Sequence, residues 1–256
     1  MNFYDTIILG SSYFGIGFAV SSGTCLIAER SQLADPNFFG TLNGFSVEYS
    51  DNWENETKEL FDFYKVHGCI SENKFDPLLS EVLLCSFMRQ KSIDPLFGTD
   101  AFDICKENDH YNLTLINNGG HEHISAKRII DTRPMDEKRN LNILCKGSFE
   151  KKDLHESSEF DIEISEAFEK DEKILTFAFK KTENTNTAKA KAIEFLYENF
   201  KGKDAKIIEE AYLMYGDTAL PVWAENEIIG VRVLSFKSAF DAFDAGVKFA
   251  KEVKKQ

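Results

Sequence analysis

The residues whose types and spacing could do chemistry lie at the start of the chain. Residues 4–9 form an apolar run rich in β-formers, which enters the turn Gly10-Ser11-Ser12 before a short apolar helix. A second apolar run then ends on the carboxylate of Glu29. This order of strand, glycine turn, helix and acidic strand end predicts the βαβ unit of a dinucleotide-binding fold.

Each residue of this unit has a physical role if the unit binds a dinucleotide. Gly10 turns the chain sharply off the strand, and Gly15 lets the helix pack closely on the sheet. The N–H groups at the helix start then face a pyrophosphate, and Glu29 accepts hydrogen bonds from the adenosine ribose. Ser12 replaces the middle glycine of the fingerprint, and its small hydroxyl can donate to a phosphate oxygen. Phe14 adds bulk to the first helical turn, and an ordinary βαβ unit without a ligand is the alternative.

The composition limits the class of protein. The chain has 256 residues, of which 43% are hydrophobic, so it can build one large core or two modest ones. A net charge of −13 disfavours nucleic-acid binding, which needs clustered Lys and Arg. No apolar run approaches the ~20 residues of a membrane span, so a cytoplasmic protein is expected. Reduced thiols are expected for the five widely spaced cysteines, Cys25, Cys69, Cys85, Cys105 and Cys145.

The middle of the chain predicts two helices followed by a set of strands. Residues 52–67 and 75–90 have helical apolar spacing, and Asp76-Pro77 gives the second segment an N-cap and a proline in its first turn. Strands are predicted at 93–97, 98–104 and 111–115. A turn at 117–120 then returns the chain through a hairpin to the main sheet.

This order of elements resembles the FAD-dependent oxidoreductases with a glutathione-reductase-like FAD-binding fold. Members run from the glycine loop and acidic strand end, through a helix and a Gly-Thr-x-Val-like strand, to a hairpin and the motif Ala-Lys-x-Val-Ile-Asp-Ala-Thr-Gly. Here Gly98-Thr99-Asp100-Ala101 stands in the place of the Gly-Thr-x-Val-like strand. Ala126-Lys127-Arg128-Ile129-Ile130-Asp131 stands in the place of the motif after the hairpin. The resemblance covers residues 4–133 well. It implies FAD as the cofactor and an α/β fold, with a Rossmann-like FAD/NAD(P)-binding parallel sheet, an inserted β-hairpin and a small α+β second domain.

The resemblance also implies how the chain divides into domains. Residues 1–145 and 222–256 would form a discontinuous dinucleotide-binding domain, and 146–221 a small substrate or interaction domain. Within the second domain, 160–164 and 174–179 have strand periodicity and 187–200 has helical periodicity, whereas 205–215 fits a strand or a helix. A final helix is expected over 239–254.

Two cofactor motifs of the family are altered in this chain. Thr132-Arg133-Pro134 stands in place of Ala-Thr-Gly, and 228–238 lacks the Gly-Asp pair that meets the flavin in the family. Arg133 and Lys237 fall where the family contacts its cofactor, and either could meet phosphate or flavin oxygens. The implied cofactor-binding residues are Gly10, Ser11, Ser12, Tyr13, Phe14, Gly15, Glu29, Arg30, Ala101, Asp131, Thr132, Arg133 and Lys237. No catalytic side chain is identified.

One compact cluster has the residue types of a metal site. His121-Glu122-His123 would place both histidines on the same side of a strand, but a third ligand is missing and a turn lies next to them. A solvated hairpin is therefore expected, without a metal. Asp241 and Asp244 lie at the start of the last helix, where carboxylates favour the helix dipole.

Two functions from different classes agree with these motifs. The leading hypothesis is an FAD-dependent oxidoreductase, or an oxidoreductase-like subunit, that holds a flavin between two domains and acts on a small organic substrate. Its partner would be that substrate or an electron-transfer protein, and a homo-oligomer stays open. The alternative is a non-catalytic scaffold or partner subunit that has lost or weakened its cofactor binding. NAD(P) binding is a third hypothesis, in which Glu29 disfavours the 2′-phosphate of NADP.

Overall fold

The computed structural model describes residues 2–43, 46–134, 139–216, 222–225 and 228–255, which form two large sheets, a two-stranded ribbon and the helices packed on them. The strands are β1 (Asn2–Leu9), β2 (Cys25–Glu29), β3 (Ile70–Ser71), β4 (Lys74–Phe75), β5 (Leu96–Phe97), β6 (Asp100–Glu107), β7 (His110–Asn117), β8 (Gly120–Asp131), β9 (Asn140–Gly147), β10 (Phe160–Glu166), β11 (Glu172–Phe179), β12 (Ala205–Glu210), β13 (Val222–Glu225) and β14 (Ile228–Val231). The helices are α1 (Tyr13–Ser22), α2 (Phe38–Thr41), α3 (Asn55–Val66), α4 (Pro77–Gln90), α5 (Thr185–Phe200) and α6 (Ala239–Val253).

The first sheet has the strand order β13-β14-β8-β1-β2-β5. Strand β1 pairs in parallel with β2 on one side and with β8 on the other, and both β5 and β14 continue the parallel pairing outwards. The end of β1 is fully buried. Parallel strands are usually covered on both faces, which accounts for the apolar run in this part of the sequence. Strands β6, β7 and β8 form the antiparallel meander that the sequence predicts as an inserted hairpin. The predicted α/β fold with a Rossmann-type parallel sheet is confirmed.

Helices α1 and α6 pack on the same face of the first sheet and approach each other through glycines. A Cβ atom on Gly17 of α1 would overlap the backbone carbonyl of Phe243, and one on Gly246 of α6 would overlap the carbonyl of Phe14. Only glycine allows this separation of the two backbones. The contact fixes the start of α1 against the rest of the domain.

Helices α3 and α4 complete this core, and both lie where the sequence predicts them. Helix α4 begins as expected, because the carboxylate of Asp76 accepts hydrogen bonds from Leu78 N and Leu79 N, at 2.9 and 3.2 Å, and Pro77 occupies the first turn. The ring of Phe240 on α6 packs against Trp53, Phe61 and Tyr64 with centroid separations of 5.4–5.8 Å. Much of the aromatic content is therefore core packing.

The second sheet is antiparallel, with the order β10-β11-β9-β12, and α5 covers one face through Ala188, Ala192 and Leu196. Residues 205–215, for which periodicity allows a strand or a helix, begin with strand β12. The sequence analysis does not predict β9, which pairs along its length with β11. A domain boundary after residue 145 would fall inside β9, so we propose that the second domain begins near residue 140.

The hairpin residues that resemble metal ligands are exposed. His121, Glu122 and His123 lie on the exposed part of β8, and the described residues contain no group of three or more His, Cys, Asp or Glu arranged to hold a metal ion. All five cysteines, which lie within the described ranges, are free thiols. Among the helices that the structure describes, none has the length and apolar character needed to cross a membrane.

Candidate dinucleotide site

The turn after β1 has the backbone geometry that its glycines predict. Gly10 has φ of +95°, and a Cβ atom there would lie 2.9 Å from Thr132 Oγ1 and 3.0 Å from Arg133 N. A Cβ atom on Gly15 would lie 2.8 Å from Ile8 Cγ2, so α1 crosses β1 at a distance that a larger residue prevents. Glycine is needed at both positions for the tight turn and the close packing.

Ser12 caps α1 and directs its side chain towards the helix. Its Oγ accepts a hydrogen bond from Gly15 N at 3.1 Å, with backbone angles typical of an N-cap residue. The side chain is fully buried. Ser12, which stands in the middle of the fingerprint, therefore provides a hydrogen-bond acceptor for a backbone N–H group of α1 itself.

Glu29, expected to bind a ribose, is bonded to protein groups through both of its oxygens. Oε2 accepts from Ser11 N at 2.7 Å and from Ser11 Oγ at 3.1 Å, and Oε1 accepts from Ser31 N at 2.7 Å. The residue is only 3% exposed. Its carboxylate thus joins the glycine turn to the chain that follows β2.

That following chain, residues 31–38, covers the start of α1, and we name it the strap. Leu33 O lies 3.0 Å from Ser11 Oγ, and Asn37 Nδ2 donates to Thr132 O at 3.1 Å. The ring of Phe38 meets the ring of Tyr13 edge-on at 5.9 Å. Every residue from Gly10 to Phe18 is buried.

Asp35 is the centre of the strap and is 1% exposed. Its carboxylate accepts hydrogen bonds from the backbone N–H groups of Asn37, Phe38 and Phe39, at 3.3, 2.8 and 3.3 Å, and so caps α2. Burial raises the pKa of Asp35 to about 7, and the negative charge of Glu29 adds to this increase, against the lowering effect of the three N–H donors. Sequence reasoning missed this residue, although Asp35-Pro36 repeats the helix-start signature of Asp76-Pro77.

The two aromatic residues of the loop point into the core. The hydroxyls of Tyr13 and Tyr64 lie 3.0 Å apart, and burial raises the pKa of both phenols well above the usual range. The ring of Phe14 packs on Phe236 and Phe249 with centroid separations of 6.0 Å. The bulk of Phe14 therefore lies between α1 and α6, and its role towards a cofactor stays a prediction.

Charged residues that follow β2 and end β8, together with Asp100 at the start of β6, form one ion cluster. Arg133 binds Asp131 through Nε at 3.0 Å and Nη2 at 2.6 Å, and its Nη1 lies 3.5 Å from Asp100. Arg30 Nε approaches the other oxygen of Asp100 at 3.4 Å. The hydrogen bond to Asp131 raises the pKa of Arg133. The positive charges predicted for a phosphate are thus balanced by neighbouring carboxylates.

The remaining predicted site residues have structural contacts. Thr132 Oγ1 lies 2.9 Å from Gly10 O and 3.1 Å from Leu9 O, so it fastens the turn to the end of β8. Ala101 packs in the apolar core under the meander. Lys237 forms an exposed ion pair with Glu48 at 2.6 Å. Their role towards a cofactor stays a prediction.

A narrow cleft of about 30 Å³ lies between the strap, the second sheet and the turn after β14. Among its lining residues are Asn37, Arg133, Tyr215 and Val233. Small-molecule sites usually enclose roughly 300–1,000 Å³. The start of α1 is also buried, and its first polar groups are bonded to Glu29 and Ser12, so the described residues do not fit an FAD in this conformation.

The parallel sheet, the glycine turn and the meander define the class of this protein's architecture, the FAD-binding Rossmann-type oxidoreductase fold. No protein-family model and no curated protein matches the sequence. Solved structures do match, and several of them are hydroxylases and monooxygenases.

Three such structures illustrate the likeness. Anhydrotetracycline hydroxylase from Streptomyces rimosus has 11% identity and a TM-score of 0.62 over 99% of this chain and 63% of its own. p-Nitrophenol 4-monooxygenase from Pseudomonas putida has 11% identity and a TM-score of 0.62 over 100% of this chain and 80% of its own. Aklavinone-11 hydroxylase, in a ternary complex with FAD and aklavinone, has 12% identity and a TM-score of 0.57 over 98% and 62%. The chain thus spans less than two thirds of the length of the two hydroxylases.

Proposed function

We propose that this chain is a non-catalytic scaffold or partner subunit built on the FAD-binding Rossmann-type fold. The observation that carries the proposal is the Glu29 carboxylate, which binds the backbone N–H groups of Ser11 and Ser31 at 2.7 Å. In this arrangement the acid that would hold a ribose instead holds the strap over the helix start. Protein groups then make the hydrogen bonds at the turn that a bound dinucleotide would otherwise make.

The charges around the turn support the same proposal. Glu29 and Asp35 are both buried beside the α1 start, so their ionised forms repel a pyrophosphate. Arg133, the cation nearest to the turn, is already paired with Asp131 and Asp100. A phosphate group entering this site would have to break an existing ion pair and displace the strap.

The second candidate is an FAD-dependent oxidoreductase that acts on a small organic substrate. It is favoured by the backbone of the turn, because Gly10 and Gly15 keep the conformation and spacing that dinucleotide loops require. The neighbouring structures favour it by analogy of fold. A substrate or an electron-transfer protein would then be its partner, with a homo-oligomer left open. A cytoplasmic location belongs to both proposals and agrees with the free thiols of the cysteines.

The visible spectrum of the purified protein, followed by titration with FAD, separates the two proposals. For the scaffold we expect a colourless preparation and no saturable quenching of flavin fluorescence at micromolar FAD. A yellow preparation that releases one FAD per chain on denaturation would overturn it and support the oxidoreductase.

The variant Glu29→Ala provides a second, independent readout. It should lower the Tm under either proposal, because Ser11 N and Ser31 N lose their buried acceptor. The effect of added FAD differs between the two. Only an oxidoreductase should show a wild-type Tm that rises with FAD and a smaller rise in the variant.

A further inference from the structure

We propose that the strap is a pH-sensitive latch over the start of α1, closed while the buried Asp35 carboxyl is protonated and loosened when that group ionises beside Glu29. The inference goes beyond the proposed function, because the latch is a property of the chain with or without a cofactor. Its parts are a covered helix start, a set of tethers and one buried acid at their centre.

The tethers show what closing the strap requires. Ser31 N is bonded to Glu29, Leu33 O lies within hydrogen-bond distance of Ser11 Oγ, and Asn37 Nδ2 is bonded to Thr132 O. Each tether ends on the glycine turn, on the acid at the end of β2, or on the end of β8. Movement of the strap would therefore uncover the turn and the first residues of α1 together.

Ionisation of the Asp35 carboxyl is the change that would destabilise the closed strap. Its hydrogen bonds come from the α2 start, within its own segment, so they do not bring a counter-ion to it. The titratable groups that face the strap from the packed elements are acids and phenols, Glu29 on β2, Tyr13 on α1, Tyr64 on α3 and Glu81 on α4. Arg133, beside Asn37 in the cleft, has its charge balanced by Asp131 and Asp100.

The sign of the pH dependence follows from burial. The pKa of Asp35 is about 7 in the closed chain against an ordinary value of 3.8, so the closed form binds the proton more tightly than an open one. The stabilisation is complete only below the ordinary pKa of 3.8, and it is lost progressively as the pH rises from there to about 7. Linkage between these two values predicts that the opening equilibrium constant of the strap increases roughly tenfold between pH 6 and pH 8.

Hydrogen exchange of backbone amides measures this opening directly. After correction for intrinsic exchange, the protection of Ser11 N and Ser31 N should fall roughly tenfold from pH 6 to pH 8, whereas amides of α5 on the second sheet should not change. In Asp35→Asn, which keeps a side-chain acceptor without the ionisation, this pH dependence should disappear.

The variant Asn37→Ala is a second test that leaves the titrating acid in place. It removes the tether to Thr132, so opening should be faster at every pH while the dependence on pH is retained. Equal protection at pH 6 and pH 8 in the wild type, or the same slope in Asp35→Asn, would overturn the latch. These readouts use amide exchange, so their failure is separate from any result of the FAD titration.

Discussion

At the scale of single residues, the glycine turn shows how one substitution changes the partner of a backbone group. A glycine at position 12 would leave the first N–H groups of α1 to a ligand, whereas the Ser12 hydroxyl accepts the hydrogen bond of Gly15 N. The Glu29 carboxylate likewise accepts the hydrogen bond of Ser11 N. Each of these side chains replaces a contact that a dinucleotide would otherwise make with the turn.

The cap is tested by replacing Ser12 with alanine and with glycine. Ser12→Ala should destabilise the protein by about 1 kcal/mol because an N-cap acceptor is lost. Ser12→Gly should cost only a few tenths of a kcal/mol by the same rule, because glycine is tolerated at the N-cap position. Urea unfolding of the three proteins gives both differences. Equal stability of the alanine and glycine variants would contradict the capping role.

At the scale of elements, the contact between α1 and α6 holds the turn in place. The two backbones touch where Gly17 faces Phe243 and where Gly246 faces Phe14. Helix α6 lies near the end of the described chain and α1 follows the first strand, so this contact joins segments that are far apart in sequence. It also carries the ring of Phe14 away from the turn.

A methyl group at either glycine should push the helices apart. Gly17→Ala and Gly246→Ala place Cβ on a backbone carbonyl, which cannot rotate away, so each should cost about 3 kcal/mol or more through overpacking. Glu252→Ala, at an exposed position of α6, is the matched control and should change stability by less than about 0.5 kcal/mol. Thermal unfolding followed by circular dichroism gives the comparison, and a Tm like that of the control would refute the close packing.

Local patterns predict those elements whose signals lie within a few residues. The Asp76-Pro77 helix start, the 117–120 turn and the Gly10 turn all follow from such signals and match the structure. Strand β9 was missed because Asn142 interrupts its apolar run, and its burial depends on residues distant in sequence. The strap was missed for the same reason, since Asp35 is buried only by contacts that form in the folded chain.

At the scale of the whole molecule, Asn142 joins the second sheet to the chain segment around α2. Its Nδ2 donates to Thr41 O at 3.0 Å and to Leu42 O at 2.9 Å, so a residue of β9 satisfies the end of α2. Its Oδ1 accepts from Thr176 Oγ1 at 2.7 Å and Tyr215 Oη at 3.2 Å. Leu213 N adds a backbone bond to Gly40 O at 2.8 Å. The strap therefore leads directly into α2, and the end of α2 is hydrogen-bonded to β9 of the second sheet.

The isosteric change Asn142→Asp should uncouple the two halves of the molecule. An aspartate has no donor for the two carbonyls and would bury a charge among them, which should cost about 3 kcal/mol or more. Because the lost bonds join the second sheet to the α2 segment, calorimetry should resolve two unfolding transitions where the wild type has one. Asn112→Asp is the matched control, since Asn112 Oδ1 accepts from Ser125 Oγ at 2.7 Å and an aspartate keeps that role. If Asn142→Asp unfolds in one transition at the wild-type Tm, this side chain does not couple the second sheet to the α2 segment.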